Sequence, residues 1–501
     1  MSLARSVVAT VASRAYLALL GLLVLPLYLQ ALGAEAYGLV ALFFALQVWF
    51  QLLDLGLTTT MARESARCRA GVVAQHDLRH LLLALERLFL AVVVVAGAVL
   101  YLASGSLVRH WLQLQALAPA DAQRALEWMA LVVGLRLLAE LHRGVIAGFE
   151  QLSWLAGFNA AIGSLRMLGV LPFLAVAVAG AKPSAFFGFQ AAVGLLELAV
   201  LAARSRRLVP ATASPLRLWD LSPLRGVLGF SLAMSAAALV WVLASQFDKV
   251  VLSGLLTLAD YGAYGLATAA AMTVLMATGA LADVAVPRLT ALQAAGQAGP
   301  LRDLYRHLTQ WTAVVGGAAA AWMAFHARPL LAVWTSDAAL AERMAPVLAL
   351  YALGNAALAM AALPYYLQLA QGRLGLHLVG TGCMAVLQVP GVVWAATAHG
   401  AVGAAAVWFA VNTLYLLLWS AVAHARFAPG LHGRWVGRDL LPPLAAAAVA
   451  GALSSHLPAP DGRLAGAALL VASACGILLA AALAAPRLRA DLRQTLRARA
   501  R

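Results

Sequence analysis

Residues 16–62 read YLALLGLLVLPLYLQALGAEAYGLVALFFALQVWFQLLDLGLTTTMA, with Arg5 and Arg14 before them and Arg63 after. A hydrocarbon layer about 30 Å thick takes ~20 apolar residues per helical crossing, so this stretch reads as two membrane spans in succession, near 10–32 and 37–62. A cleaved signal peptide also has a basic start and an apolar run. Here a second span follows at once, and the first helix is expected to stay in the chain.

The pattern continues outward to the far end of the chain. Further apolar runs near 82–106, 125–147, 153–179, 185–203, 226–256, 260–285, 309–333, 344–368, 376–398, 401–424, 440–457 and 464–485 make about 14 transmembrane helices. Hydrophobic residues are 63% of the 501 and charged residues 11%, against roughly 25% charged in soluble domains. A soluble fold is excluded, because that much apolar surface has nowhere to be buried.

The formal net charge of +15 would suggest nucleic acid in a soluble chain. Here the cations sit in the short segments between spans, where they set topology, and no nucleic-acid partner is expected. With the N-terminus inside, the inner segments hold Arg63, Arg67, Arg69, Arg79, Arg143, Arg204, Arg206, Arg207, Arg288, Arg302, Arg306 and many others. The outer segments hold only Arg109, Arg124, Lys182, Arg328, Arg343 and Arg463. Both termini are therefore expected in the cytoplasm. The longest loop, Arg204–Arg225, carries Pro210 and Pro215 and reads as a linker. Residues 111–125 read as an outer-surface amphipathic helix. The 3 cysteines, Cys68, Cys383 and Cys475, have no metal or disulfide spacing.

Ala36-Tyr37-Gly38-Leu39 opens the second span and Ala263-Tyr264-Gly265-Leu266 the eighth. Both follow a long apolar span and end at a basic inner loop. Six spans separate them, which predicts two parallel, pseudo-symmetric six-helix lobes around a central cavity. The expected divisions are an N-terminal lobe at 1–208, a cytoplasmic linker at 209–225, a C-terminal lobe at 226–426, and two extra helices with a basic tail at 427–501.

Enzyme signatures are weak. No GxxxxGK[ST] motif occurs. Gly380, Gly382 and Ala385 match GxGxxA inside an apolar span, where small residues serve helix packing. His76 and His80 lie in a solvated basic loop. The outer loops are too short for a sugar-transfer site, so no enzyme, cofactor or metal is expected.

Charge inside the membrane costs at least ~2.5–3.5 kcal/mol per residue at a helix centre and by default faces a cavity or a partner. The candidates are Arg14, Asp54, Arg136, Glu140, Arg166, Asp248 and Lys249. Arg14 also fits the inner flank of the first helix. Arg136 and Glu140, four apart, either neutralise each other or line a cavity. Arg166 has no carboxylate within four residues, so a distant helix or a ligand must supply its partner. It is the leading anion-binding candidate. Adjacent Asp248 and Lys249 point about 100° apart on a helix, one toward a cavity and one toward its lobe. An excess of cations suits a diphosphate cargo, which arginine holds bidentately. The substrate-binding set is thus Arg14, Arg136, Arg166, Asp248 and Lys249, with Asp54 and Glu140 as protonation sites for ion coupling.

Several stretches carry a resemblance. Leu25-Pro26-Leu27-Tyr28-Leu29-Gln30-Ala31-Leu32-Gly33-Ala34-Glu35-Ala36-Tyr37-Gly38-Leu39 resembles the first outer turn of the Wzx-type polysaccharide flippases. These move O-antigen and exopolysaccharide precursors and belong to the MOP (multidrug/oligosaccharidyl-lipid/polysaccharide) exporter superfamily. Asp54-Leu55-Gly56-Leu57 before Arg63 resembles that family's second span end. Asp248-Lys249-Val250-Val251-Leu252-Ser253 with Tyr261-Gly262-Ala263-Tyr264 resembles its seventh-to-eighth turn. Gln371-Gly372-Arg373 and Gly400-Ala401-Val402-Gly403-Ala404-Ala405 resemble two later turns. The resemblance covers roughly residues 10–425. It implies alternating access and a polyprenyl-diphosphate-linked oligosaccharide carried from the cytoplasmic to the outer leaflet of a bacterial inner membrane. Its implied partners are that substrate, membrane lipids, and the polymerase and chain-length machinery, with the transporter itself a monomer. The last two helices depart from the twelve-helix members, and the analogy gives them the role of a groove for the lipid tail. Alternative readings are an ion-coupled small-molecule or drug antiporter of the same superfamily, a membrane glycan polymerase or ligase, and a scaffold.

Overall fold

The opening apolar run forms α1 (Leu3–Leu32) and α2 (Ala34–Gln51). Gly33 turns between them at φ 86°, a left-handed conformation that costs glycine little. The structure is a computed structural model that describes residues 3–209, 228–458, 460 and 462–490. Apart from Val209, the linker expected at 209–225 lies outside these residues, as do the tail arginines from Arg493 onward. The chain divides into two units, Met1–Gly262 and Ala263–Arg501.

The first unit continues with a 3-10 turn at Leu52–Asp54, α3 (Leu57–Arg69), α4 (Gln75–His110), α5 (Pro119–Gly148), α6 (Leu152–Leu168), α7 (Val170–Val176), α8 (Lys182–Leu208), α9 (Leu228–Leu255) and the start of α10 (Leu258–Ala294). The expected second span is therefore not one helix. It breaks at Asp54-Leu55-Gly56, where Leu55 (φ 48°) and Gly56 (φ 67°) are both left-handed. α5 packs against α3, α4 and α8. It approaches α3 so closely that a Cβ on Gly148 would lie 2.3 Å from the Ala62 carbonyl oxygen. Leu57, Met61, Leu82, Leu85, Phe89, Leu141 and Val145 form the core of that junction.

Residues 111–118 are not the expected amphipathic helix. They run irregularly, and Gln113 pairs with Thr257 in an isolated bridge. Glu35, in the first turn of α2, fixes this segment. Its carboxylate accepts the backbone N–H of Gln115 (2.6 Å), Ala116 (2.7 Å) and Leu117 (2.8 Å). Three donors converging on one carboxylate suit a loop better than a helix, whose N–H groups are spent on its own ladder.

The second unit holds the rest of α10, then α11 (Ala298–Phe325), α12 (Ala327–Thr335), α13 (Ala338–Ala370), α14 (Gly375–Leu414), a π-turn at Tyr415–Trp419 and α15 (Ser420–Phe427). It ends with α16 (His432–Arg434), a second π-turn at Trp435–Leu440, α17 (Leu441–Ser455) and α18 (Arg463–Ala484). The ninth expected span is broken at His326, between α11 and α12. α14 reverses at Gly400 (φ 58°, ψ −138°), so that Gly403 lies against the Ala395 carbonyl and Gly391 against Val407. The eleventh and twelfth expected spans are the two arms of this hairpin. Buried Asn355 ties α13 to its neighbours, donating to the Ala271 carbonyl (2.8 Å) and accepting from Trp408 Nε1 (3.0 Å).

The final helix pair is fastened to α11. Asp439, fully buried, accepts from Arg306 Nε (2.6 Å), Arg306 Nη2 (3.0 Å) and Gln310 Nε2 (2.9 Å). Trp435 donates to Thr309 (2.8 Å), and Trp322 of α11 donates to the Leu470 carbonyl of α18 (3.0 Å).

Each of the fourteen expected spans falls on helical segments, the second, fifth and ninth on two in succession. Eleven helices among the described residues, counting the α14 hairpin with its continuation as one, are long and apolar enough to cross a membrane. α5 is outside the eleven because it carries Arg136, Glu140 and Arg143 within two turns. Large apolar side chains such as Leu102, Val176 and Leu464 are at least 80% exposed, tolerable only where the solvent is lipid. The chain is an all-α, multi-pass membrane protein.

Candidate functional site

The break after α2 makes the site. Asp54 ends the 3-10 turn, and its Oδ1 accepts from the Thr58 backbone N–H (3.0 Å) and from the Thr58 hydroxyl. The carboxylate thus satisfies an orphan donor at the start of α3, as an N-cap does. Around it lies a cavity of about 490 Å³ in the first unit. α2 contributes Gln47, Phe50 and Gln51, α5 contributes Arg136 and Glu140, and α9 contributes Trp241. Arg136 and Glu140 are neighbours one turn apart on a single helix face, which is why both reach the cavity.

They do not neutralise each other. Glu140 lies 3.3 Å from Arg143 Nε. The Arg136 guanidinium sits 5.4 Å over the Phe43 ring. Among the described residues no carboxylate lies within ion-pair distance of Arg136, and its buried Nε has no hydrogen-bond partner. It is a cation-lined wall with donors to spare. The side-chain amides of Gln47 and Gln51, one turn apart on α2, also make no hydrogen bond among the described residues.

Arg166 is placed differently. Its partner comes from a distant helix. Glu197 of α8, nearly inaccessible, accepts from both Arg166 and Arg143, and Arg143 donates as well to Asn159. The result is a relay, Glu140–Arg143–Glu197–Arg166, running from exposed Glu140 at the cavity wall to buried Glu197 within the first unit. Both Glu197 oxygens are engaged, one by each guanidinium. Lys249 lines a second, almost wholly apolar cavity of about 240 Å³ with Trp49, Trp111, Ser253 and Tyr261. Its ammonium lies 3.5 Å from the buried Asp248 carboxylate on the same helix. Arg14 is on an exposed face of α1 and lines neither cavity.

The structure therefore gathers Asp54, Arg136 and Glu140 into one cavity, links Arg166 to it through two residues, and leaves Arg14, Asp248 and Lys249 apart from it. Glu197, Gln47, Gln51 and Trp241 are not among the candidates that the sequence singles out, and Arg143 is expected in a cytoplasmic segment. One signal for Glu197 was present: it is the sole acid of the expected sixth span, and Arg166 lacked a partner.

Residues 155–338 match a family described as polysaccharide biosynthesis protein. No curated protein matches the chain in sequence. Among solved structures, the lipid II flippase MurJ in an inward closed conformation superposes with a TM-score of 0.73 at 11% identity, over 96% of this chain and 98% of that one. An inward-facing multidrug resistance MATE transporter of the MOP superfamily gives 0.64 at 15% identity, over 82% and 94%. A MOP superfamily transporter from Pyrococcus furiosus gives 0.52 at 17% identity, over 85% and 95%. The fold is that of the MOP exporters.

Proposed function

We propose that this chain, built on the MOP exporter fold, is a flippase that carries a polyprenyl-diphosphate-linked oligosaccharide from the cytoplasmic to the outer leaflet of a bacterial inner membrane by alternating access. The observation that carries the reading is Arg136, a cavity-lining guanidinium with no carboxylate in ion-pair range among the described residues. Such a group is a ready partner for a diphosphate, because planar paired donors match phosphate oxygens. The polysaccharide-biosynthesis match over residues 155–338 supports a glycan cargo. The cations of the cytoplasmic segments support an orientation with both termini inside. Asp54 and Glu140, on the same cavity, are the groups through which a proton or sodium ion would couple to transport. Arg166 acts through Glu197 and Arg143, orienting Glu140 at the cavity wall. No catalytic role is assigned to any residue.

A drug antiporter is the second reading, favoured by the two carboxylates in the cavity and by the MATE-like fold. The two readings separate in a strain lacking the gene. The flippase reading expects lipid-linked glycan to accumulate inside and surface glycan to disappear. Wild type restores export, and Arg136→Ala does not, although it is present in the membrane at wild-type level. Unchanged surface glycan together with new sensitivity to cationic drugs would reverse the choice.

A further inference from the structure

Apart from the space around Arg136, the first unit holds the smaller cavity that Lys249 lines, about 240 Å³. Its shape follows from helix periodicity. α2 presents Leu42, Leu46 and Trp49 to it, and α4 presents Leu100 and Leu107. In each helix the first and last of these stand two turns apart, so the cavity runs alongside both for about 11 Å. Its volume lies below the ~300–1,000 Å³ of pockets for compact small ligands. Drawn out over two turns it is a narrow slot, wide enough for one hydrocarbon chain and too small for two.

Two donors in this apolar slot are unspent. The Trp49 indole N–H is buried and has no hydrogen-bond partner among the described residues. Lys249 carries three N–H groups, and its one hydrogen bond among the described residues goes to Asp248 at 3.5 Å, the outer limit for such a bond. Side chains lean toward the N-terminus of their own helix. α2 and α9 run in opposite directions, since Gly38 near the start of α2 abuts Leu258 just past the end of α9. Lys249 and Trp49 therefore lean toward each other from opposite ends of the slot. A hydrocarbon alone leaves both donors unmet, which is costly in apolar surroundings. An oxyanion accepts from both and balances the ammonium charge.

We propose that this slot is a second ligand site, for an amphiphile with one hydrocarbon chain and one oxyanion, a carboxylate or a phosphate. The chain lies along Leu42, Leu46, Leu100 and Leu107, and the oxyanion accepts from Lys249 and Trp49. The ligand joins α2, α4 and α9. It sits apart from Arg136, so the site does not depend on the flippase reading.

The test uses the full chain in phosphatidylcholine nanodiscs. The probes are laurate, dodecyl phosphate and dodecanol, each carrying a diazirine on its chain, with the adducts mapped by peptide mass spectrometry. The expected result is that an anionic probe labels the cavity-lining stretches of α2 and α4 at a concentration at least about tenfold below that needed for dodecanol, the worth of one bond to a charged group. Tighter laurate marks a free fatty acid as the ligand, and tighter dodecyl phosphate a single-chain phosphate lipid. Lys249→Gln removes the advantage over dodecanol, while Lys249→Arg, which keeps the charge and guards against a folding artefact, retains it. Leu46→Trp fills the slot and abolishes labelling there by all three probes. Arg136→Ala leaves labelling unchanged. Equal labelling by dodecanol and both anions, or undiminished labelling in Leu46→Trp, overturns the proposal. Loss of labelling in Arg136→Ala overturns it too, because the anion then belongs to the first cavity.

Discussion

Glu197 and Arg136 show how the same chemistry takes opposite parts. Glu197 is buried and shared by two guanidiniums, whereas Arg136 has no acid in ion-pair range among the described residues. Removing one member of a buried ion cluster leaves the others uncompensated, at a cost of about 3–5 kcal/mol. Glu197→Gln is therefore expected to lower the unfolding midpoint in detergent strongly and, by releasing Arg143 from its place beside Glu140, to weaken export as well. Arg136→Ala should leave the midpoint within a few degrees of wild type, because its guanidinium has no ion pair to lose, while export stops. Equal midpoints for the two variants would mean that the relay is not structural. Arg166 was legible as an intramembrane charge in need of a partner. The partner was not, because Glu197 lies 31 residues from Arg166 and 54 from Arg143, and nothing in a one-dimensional pattern joins them.

At the scale of elements, the break after α2 and the contact between α3 and α5 are the parts that tolerate least. Gly148 has no room for a side chain against the Ala62 backbone. Gly148→Val should separate the two helices and deplete folded protein, which size-exclusion profiles in detergent would register. Gly56→Val places a β-branched residue at positive φ, costing roughly 1–2 kcal/mol, and should perturb export more than stability, because the break positions Asp54 and Thr58. A variant with full export would show that the break does not shape the cavity. The helices themselves were legible, since apolar runs and arginine-rich turns decide them. The break was not. Leu53-Asp54-Leu55-Gly56-Leu57 is apolar enough to read as continuous helix, and only the paired left-handed residues reveal the turn. Residues 111–118 were misread for a related reason: their amide donors go to Glu35, 80 residues away from Gln115, and not to a helical ladder.

For the whole molecule, the added pair α17–α18 is bound to its unit by polar groups as well as by apolar packing. A chain ended after Arg426 would strip Arg306, Gln310 and Thr309 of their acceptors and donors, each unmet buried group costing about 1–3 kcal/mol. Such a truncation is expected to be recovered poorly from membranes, and Asp439→Asn to reproduce part of that loss as a lower unfolding midpoint. Normal yield and export from the truncated chain would mean that the pair is dispensable. The two-lobe expectation came from a four-residue repeat, and its first copy is spatially informative. Gly38 of that copy abuts Leu258 and Gly262, so tightly that a Cβ there would strike the Leu258 carbonyl.

The carboxylate of Glu35 has a consequence for how residues 111–118 behave in time. An irregular loop at a membrane face ordinarily trades its amide hydrogens for deuterium almost as fast as a free peptide, since local opening costs it little. Gln115, Ala116 and Leu117 are held by one side chain, so their three amides should exchange slowly and together. In Glu35→Gln, which keeps the shape and loses the charge, they should exchange much faster while the flanking helices α4 and α5 keep their protection. Those three hydrogens then serve as a clock: their common rate measures how often the segment lets go of α2.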